Sequence, residues 1–537
     1  MAKPSYLAQP VIHRLPAILE EIADGTLAIP KFQRPFVWTD EQRMDLMDSI
    51  RRGMPIGALL VWRTSEHKLE TYQQLGPFRL PLLVEHELRT YVLDGHQRLS
   101  TLYGALHEAG DDTENDEVDR VRWPIYYDLE GDEFLWPRRT AAPRTWLKMS
   151  LVFNPIDLYT YQKELIDIGH ADLARKAENI ANKFKDYQLA IVPLVTEDLK
   201  QVTETFQRVN STGTTMSEVD MVRALMWSTE FDLGDRLGQV AEQLADIGWE
   251  GLGHQILLDT IKMFYDFDVC EPTPEETIGA LRSDPSLLDE LAVHIKHAVV
   301  FLSQHCWTNG PAVLPYKYQL AILADAARIL DSALEGDVAD ALRLWFWRTT
   351  YTEYFAGMTG TQIRRAAQHV RAIVTGAIPG DEMPPELSRE VRPLGRFNYV
   401  SARSRALVLL LVQRDPCDEH GKPMLAADLV GLAGDRVIPM ILSAKTRHPF
   451  DVRRLSDGPE NRWIVAPGHA RALYQALFQP PGQARDALLD SHAITEAACQ
   501  ALARGDDVGF LAARRERLVE LERAFVTSLG LTYGDPP

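Results

Sequence analysis

The stretch Tyr91-Val-Leu-Asp-Gly-His-Gln-Arg-Leu-Ser-Thr-Leu-Tyr-Gly-Ala-Leu106 constrains this chain more than any other. Thr90 to Leu93 is a short apolar run rich in β-formers, which reads as a buried strand. Asp94-Gly95 breaks the run, and Leu99, Leu102, Tyr103 and Leu106 then recur at helical spacing. A strand, a glycine turn and a helix N-terminus together aim backbone N–H groups at a spot where an anion can sit. Asp94 and Arg98 flank that spot, the carboxylate suited to a metal ion and the guanidinium to a phosphate. The same residues fit a plainer structure, in which Asp94 caps the helix and Gln97 completes a capping-box pair. The residues of the turn leave both readings open.

Upstream, Ile29-Pro-Lys-Phe-Gln-Arg-Pro-Phe-Val-Trp38 is an extended arm punctuated by Pro30 and Pro35. Gln33 and Arg34 lie between Phe32 and Phe36, two anchors able to fix the backbone so that the guanidinium faces a site. An Arg paired with a surface carboxylate is the alternative. Thr39-Asp-Glu-Gln42 is a capping box with Met44, Met47 and Ile50 as the apolar stripe behind it, and Gly53 and Pro55 end that helix. Gly57–Trp62 has the continuous apolar character of a strand buried on both faces. Arm, helix, strand, strand and helix make a small α+β domain.

Arg122–Asp128 and Glu133–Trp136 read as a hairpin around Gly131, followed by a Pro-punctuated loop, Pro137–Lys148, with four positive charges. Such a loop is either solvated surface or a track for phosphates. Helix is predicted from Pro155 to about Phe184, strand over Leu189–Val195 and helix over Asp198–Asn210. Asn210 and Gly213 suit a left-handed helix exit, and Ser217 with Asp220 opens the next helix. Arg208 and Asn210 can supply a phosphate contact and an amide donor, unless Asn210 only terminates its helix.

At 537 residues the chain has room for two to four domains. The pattern is helical from about Phe231 to Ile373, and the Trp345-Phe-Trp347 cluster reads as core. After a Pro- and Gly-rich linker, Arg389, Arg392, Arg396, Arg403 and Arg405 bracket Phe397 and Tyr399. That composition serves a DNA-binding groove or a set of interdomain salt bridges equally well. Asn461–Val465 reads as a strand, and Phe510–Leu529 as a helix whose Arg514, Arg515 and Arg517 face solvent. The expected domains are therefore 1–230, a helical bundle 231–380 and a mainly helical C-terminal part 381–537.

Four dispersed cysteines offer no disulfide framework and suit a reducing cytoplasm. No run reaches the apolar length of a membrane span, and Met-Ala-Lys-Pro-Ser-Tyr lacks the core of a signal peptide, so a cytoplasmic protein is expected. A formal charge of −19 argues against a uniformly basic nucleic-acid binder and leaves room for a local basic groove.

Three segments, Ile29–Trp38, Val92-Leu-Asp-Gly-His-Gln-Arg-Leu99 and Phe206-Gln-Arg-Val-Asn-Ser-Thr-Gly213, resemble in order and spacing the N-terminal domain of GmrSD-type proteins. That domain belongs to the ParB/sulfiredoxin-like superfamily, and the resemblance covers roughly the first 230 residues. It implies a DNA-directed restriction or anti-phage defence protein that binds and hydrolyses nucleoside triphosphate with Mg²⁺, with DNA nicking as a coupled activity. Asp94, Gln97 and Arg98 match the family's Asp-Gly-Gln-Gln-Arg signature and are the implied catalytic set, with Asp94 as the Mg²⁺ ligand. Gln33, Arg34, Gly95, His96, Arg208 and Asn210 are the implied nucleotide and phosphate contacts. His96 departs from the family's usual Gln and adds a titrating group.

Many such proteins end in an HNH-type nuclease domain. Asn461-Arg-Trp-Ile and Ser491-His492 through Arg514-Arg515 are similar to its terminal stretch, but the acid-His-hydrophobic-aromatic-Pro signature is absent. His448 and His420 lack the right neighbours, so a nuclease-like scaffold without its catalytic His is expected. Two functions follow. One is an NTPase working at Asp94 and Arg98; the other is a non-catalytic sensor of nucleotide or modified DNA, acting through a protein effector or a second copy.

Overall fold

The computed structural model describes residues 8–33, 36–80, 88–107, 123–136, 142–209, 218–226, 231–382, 390–442 and 457–534. They form two compact units, 1–233 and 234–537.

The first unit is α+β. It opens with β1 (Val11–Arg14), α1 (Leu15–Ala23) and β2 (Leu27–Ala28), all upstream of the arm and absent from the sequence reading. After the arm come α2 (Asp40–Arg52), β3 (Leu59–Thr64), the small pair β4 (Gln74–Leu75) and β5 (Phe78–Arg79), then β6 (Arg89–Asp94) and α3 (His96–Leu106). The main sheet is completed by a later strand, β10 (Gln188–Val195), and runs β1-β10-β3-β6-β2. β3 pairs antiparallel with β6, which sets Leu60 opposite Asp94, and a bulge at Leu60/Val61 bends the strand there. The carboxyl end of β6 is thereby carried beside the loop that enters β3.

Between β6 and β10 lie β7 (Tyr126–Asp128), β8 (Glu133–Leu135), β9 (Trp146–Lys148), α4 (Pro155–Asp167) and α5 (Ala171–Lys185). The hairpin expected around Gly131 is present, but Trp146–Lys148, read as loop, pairs with β7 as a third strand. β10 (Gln188–Val195) follows, then α6 (Leu199–Val209) and α7 (Glu218–Met226). One core joins α1, α2 and α3 to the sheet and to α5, through residues such as Ile18, Met47, Val61, Val92, Leu102 and Phe184.

The capping box of α2 forms as expected. The Thr39 N–H donates to Gln42 Oε1 at 3.0 Å and Gly53 ends the helix at φ +71°. The cap suggested for α3 does not form. Its N-cap is Gly95 at φ +115° with no side-chain cap, and the Asp94 carboxylate is engaged by Arg98 instead.

The second unit is helical. Trp345, Phe346 and Trp347 are core, as read. Within this unit the helix Gly336–Tyr351 meets the C-terminal helix Asp507–Ser528: the Trp347 and Phe525 rings stand 4.9 Å apart, edge to face. Residues 461–465 are not a strand; a short 3₁₀ turn, Pro459–Asn461, leads into one bridge, Met440 with Arg462. Arg514 is not on a solvated face. It is fully buried, its Nη2 donating to His492 O at 3.1 Å, and burial pulls its pKa down to about 9. Among the described residues no helix is long and apolar enough to cross a membrane.

Candidate functional site at the β6–α3 turn

Asp94 closes β6 and Arg98 sits one turn into α3, so the i,i+4 spacing brings the two together: Nη2 donates to Asp94 Oδ2 at 2.8 Å. Arg98 Nη1 donates to Ile56 O at 2.9 Å and Ala58 O at 3.0 Å. The guanidinium therefore straps the loop before β3 to the turn. Two glycines make room for it. A Cβ on Gly57, itself at φ +88°, would stand 2.8 Å from Arg98 Nη1, and one on Gly95 would stand 3.3 Å from Arg98 Nη2 and 2.3 Å from Leu59 Cδ2. Asp94 keeps Oδ1 clear of any donor among the described residues.

The two glutamines are spent on backbone groups. Gln33 is buried and its Nε2 donates to Val92 O. Gln97 is also buried, and its Oε1 accepts the Val37 N–H at 2.9 Å. Each amide fixes the arm to the β6–α3 unit at one point, and together they hold it across the turn. Tyr72 adds a third tie, its hydroxyl donating to Gln33 O at 2.7 Å while its ring lies 5.2 Å from the His96 ring. His96 is therefore buried behind the arm rather than presented at the surface.

The third motif reaches the same place through aromatic packing. Phe206 of α6 meets Phe32 of the arm edge to face, with centroids 5.6 Å apart. Arg208 is 82% exposed and 3.9 Å from Glu204. Arg34 and Asn210 lie outside the described residues.

Among the described residues, the one group of His, Cys and acidic side chains close enough to share an ion is Glu66, His67 and Glu197, with ligand atoms within 4.8 Å of one another. Asp94 is not part of it. The Glu197 carboxylate there accepts from Thr64 Oγ1, from the Ser65 N–H at 2.8 Å and from Ser65 Oγ at 2.9 Å, so it serves as a clasp between β3 and the end of β10. The sequence reading missed this clasp because its partners stand far apart in the chain.

The arginines read as a DNA groove divide by burial. Arg403 is buried and donates to Glu522 Oε1 at 2.9 Å with its guanidinium 5.1 Å from the Tyr351 ring. Arg405 donates to Tyr399 O at 3.0 Å and to Leu314 O, and burial lowers its pKa. Both are internal struts, turned away from any phosphate track. Arg392 and Arg396 are exposed, pairing with Glu390 at 3.0 Å and Asp457 at 3.6 Å, while Arg389 lies outside the described residues. In the tail, His420 is exposed beside Glu419 and His448 is outside the described residues. His492 is buried with Nε2 2.9 Å from Cys417 O, and burial lowers its pKa to about 4.

The first unit is thus an α+β domain in which the arm, turned at 30–33 where it was expected to be extended, is tied at Gln33 and Val37 across a strand–glycine–helix turn carrying a partly exposed Asp–Arg pair. Residues 15–227, within this unit, match the family profile of the GmrSD restriction endonuclease N-terminal domain. Uncharacterized protein MJ0686 of Methanocaldococcus jannaschii is 22% identical over 399 residues. That match spans 66% of this chain and 66% of the relative, just under two thirds.

Proposed function

We propose that this chain is a restriction or defence-type protein directed at DNA, and that its N-terminal domain binds and hydrolyses nucleoside triphosphate at the β6–α3 turn. The observation that supports this reading is that two of the three shared motifs are stitched together there by side-chain amides, with the third packed on the arm through Phe206. Two amides spent on one segment define a rigid rim, which is what a preorganised site needs. The N-cap of α3 is Gly95, which makes no side-chain cap among the described residues, and a helix N-terminus after a glycine turn is a setting that suits a phosphate.

The residues present also fit Mg²⁺. Asp94 is partly exposed and offers Oδ1 while Oδ2 is held by Arg98, and Mg²⁺ at phosphate sites commonly takes one or two carboxylates. A bound Mg²⁺ would supply charge neutralisation at the phosphates. Arg98, tied to Ile56 O, Ala58 O and Asp94, orients the carboxylate and keeps a positive charge at the rim. Gln33 and Gln97 hold the rim closed. His96, buried against Tyr72, supports the arm from behind.

Arg98's three internal hydrogen bonds also favour the second reading, a sensor whose output lies in a protein effector or a second copy. Asp94→Asn separates the two, because Asn keeps a hydrogen bond to Arg98 while losing the charge. Phosphate release from ATP, GTP and CTP, with Mg²⁺ and with or without duplex DNA, is the measurement. Hydrolysis by the wild type, lost in a variant of nearly unchanged Tm, is expected. Nucleotide binding without release in the wild type gives the sensor reading, and no binding of any of the three removes the site.

A further inference from the structure

Behind the arm lies a buried charge that the proposed chemistry does not use. Arg43, on α2, is 0% exposed. Its guanidinium carbon is 4.8 Å from the Trp123 ring, 5.3 Å from Trp136 and 5.9 Å from Phe36. Nη1 approaches Asp40 Oδ1 at 3.4 Å, and neither Nε nor Nη2 has a hydrogen-bond partner among the described residues. An arginine keeps its charge in a protein, and burying that charge is costly unless something compensates. The compensation available among the described residues is one long ion pair to Asp40, on a single nitrogen, and three aromatic faces. Leu or Met would fill the space without that cost, so the charge needs a reason beyond packing.

The rings supply one, because they come from separate segments. Phe36 belongs to the arm and packs on Trp123, centroids 5.1 Å apart. Trp123 in turn packs closely on α3, where a Cβ on Gly104 would stand 2.2 Å from its ring. The residue after Phe36 is Val37, whose N–H meets Gln97. We propose that Arg43 is a positioning residue for the β6–α3 turn, clamping Phe36 against Trp123 so that Val37 reaches Gln97. The clamp matters for function only if the arm and turn form the site described above; its effect on the arm is independent of that reading.

Hydrogen–deuterium exchange on the full chain tests it, using Arg43→Met, Arg43→Lys and Phe36→Leu. In Arg43→Met the Val37 amide should lose protection about tenfold, a fraction of what a desolvated cation–π contact is worth, while β3, β6 and β10 exchange as in the wild type. Arg43→Lys, which keeps a cation, should recover most of the protection. Phe36→Leu keeps apolar volume without the ring, and should reproduce the loss at Val37 even if Arg43→Met fails to fold. Unchanged protection at Val37, an equal loss across the three strands, or Lys no better than Met each overturns the proposal. Adding ATP, GTP or CTP with Mg²⁺ to the wild type is a separate arm. If none of them alters exchange at the turn, the nucleotide reading fails while the result on Arg43 still stands.

Discussion

A charged side chain inside this protein is worth what its partner makes it worth. Arg403 and Glu522 are both buried and paired at 2.9 Å, and the same carboxylate accepts the Tyr533 hydroxyl at 2.7 Å. Arg403→Ala strands that carboxylate, so a loss of roughly 3–5 kcal/mol is expected by chemical denaturation, the usual result of halving a buried pair. Arg403→Ala with Glu522→Gln should recover part of it. His492 works the other way, because it is buried neutral with a pKa lowered to about 4. The unfolded chain takes up that proton near pH 6.5 and the folded chain does not, so this contribution is complete above pH 6.5. It is lost progressively as the pH falls toward 4, by an amount on the order of 3 kcal/mol. His492→Gln should flatten that window in a series of Tm values against pH. Of this, only an ion-pair role for the group of arginines around Arg403 stood among the alternatives open in sequence, without its partner. Arg403, Arg405 and Arg514 stand in runs indistinguishable from solvated ones, and only the tertiary packing says which guanidinium turns inward.

Local elements were legible where the chain punctuates itself. The Thr39–Gln42 capping box, the Gly53 stop and β6 follow from a few adjacent residues, and all are present. Of the two readings left open at Asp94, the cap is the one that does not form, because it competes with an i,i+4 arginine that the carboxylate meets at 2.8 Å. The glutamines of the two Gln-Arg pairs were identified as site residues, yet their latch role needs contacts between residues 33 and 92 and between 37 and 97, which no local pattern encodes. β1, β2 and β9 were missed because short strands at the edge of a sheet carry little periodicity of their own. The turn itself yields a paired prediction. Gly95 and Gly53 both have positive φ, but an added Cβ meets Leu59 at 2.3 Å only at Gly95, with nothing within 4 Å at Gly53. Gly53→Ala should cost the ordinary left-handed penalty of about 1–2 kcal/mol. Gly95→Ala should cost clearly more in the same denaturation assay, and equal costs would mean that Leu59 moves aside freely.

At the scale of the molecule, the division at residue 233 comes close to the end of the matched family domain, and the first unit holds its own continuous core. A fragment spanning residues 1–233 should therefore melt in one cooperative step, with tryptophan emission blue-shifted from the unfolded value. A broad, non-cooperative transition would show that the unit leans on the rest of the chain. The expected α+β domain followed by helical regions was legible because hydrophobic periodicity changes from strand-like to helical along the chain; the interlocking of Trp347 with Phe525 was not. The strand order has a consequence for synthesis. β3 is flanked by β6 and β10, and β10 ends at Val195, long after β3 has left the ribosome. At ordinary translation rates the gap lasts on the order of ten seconds, during which one edge of an apolar strand has no neighbour. The nascent chain would therefore be open to capture by a holding chaperone until Val195 has emerged, and slowing translation between Thr64 and Gln188 should lengthen that window.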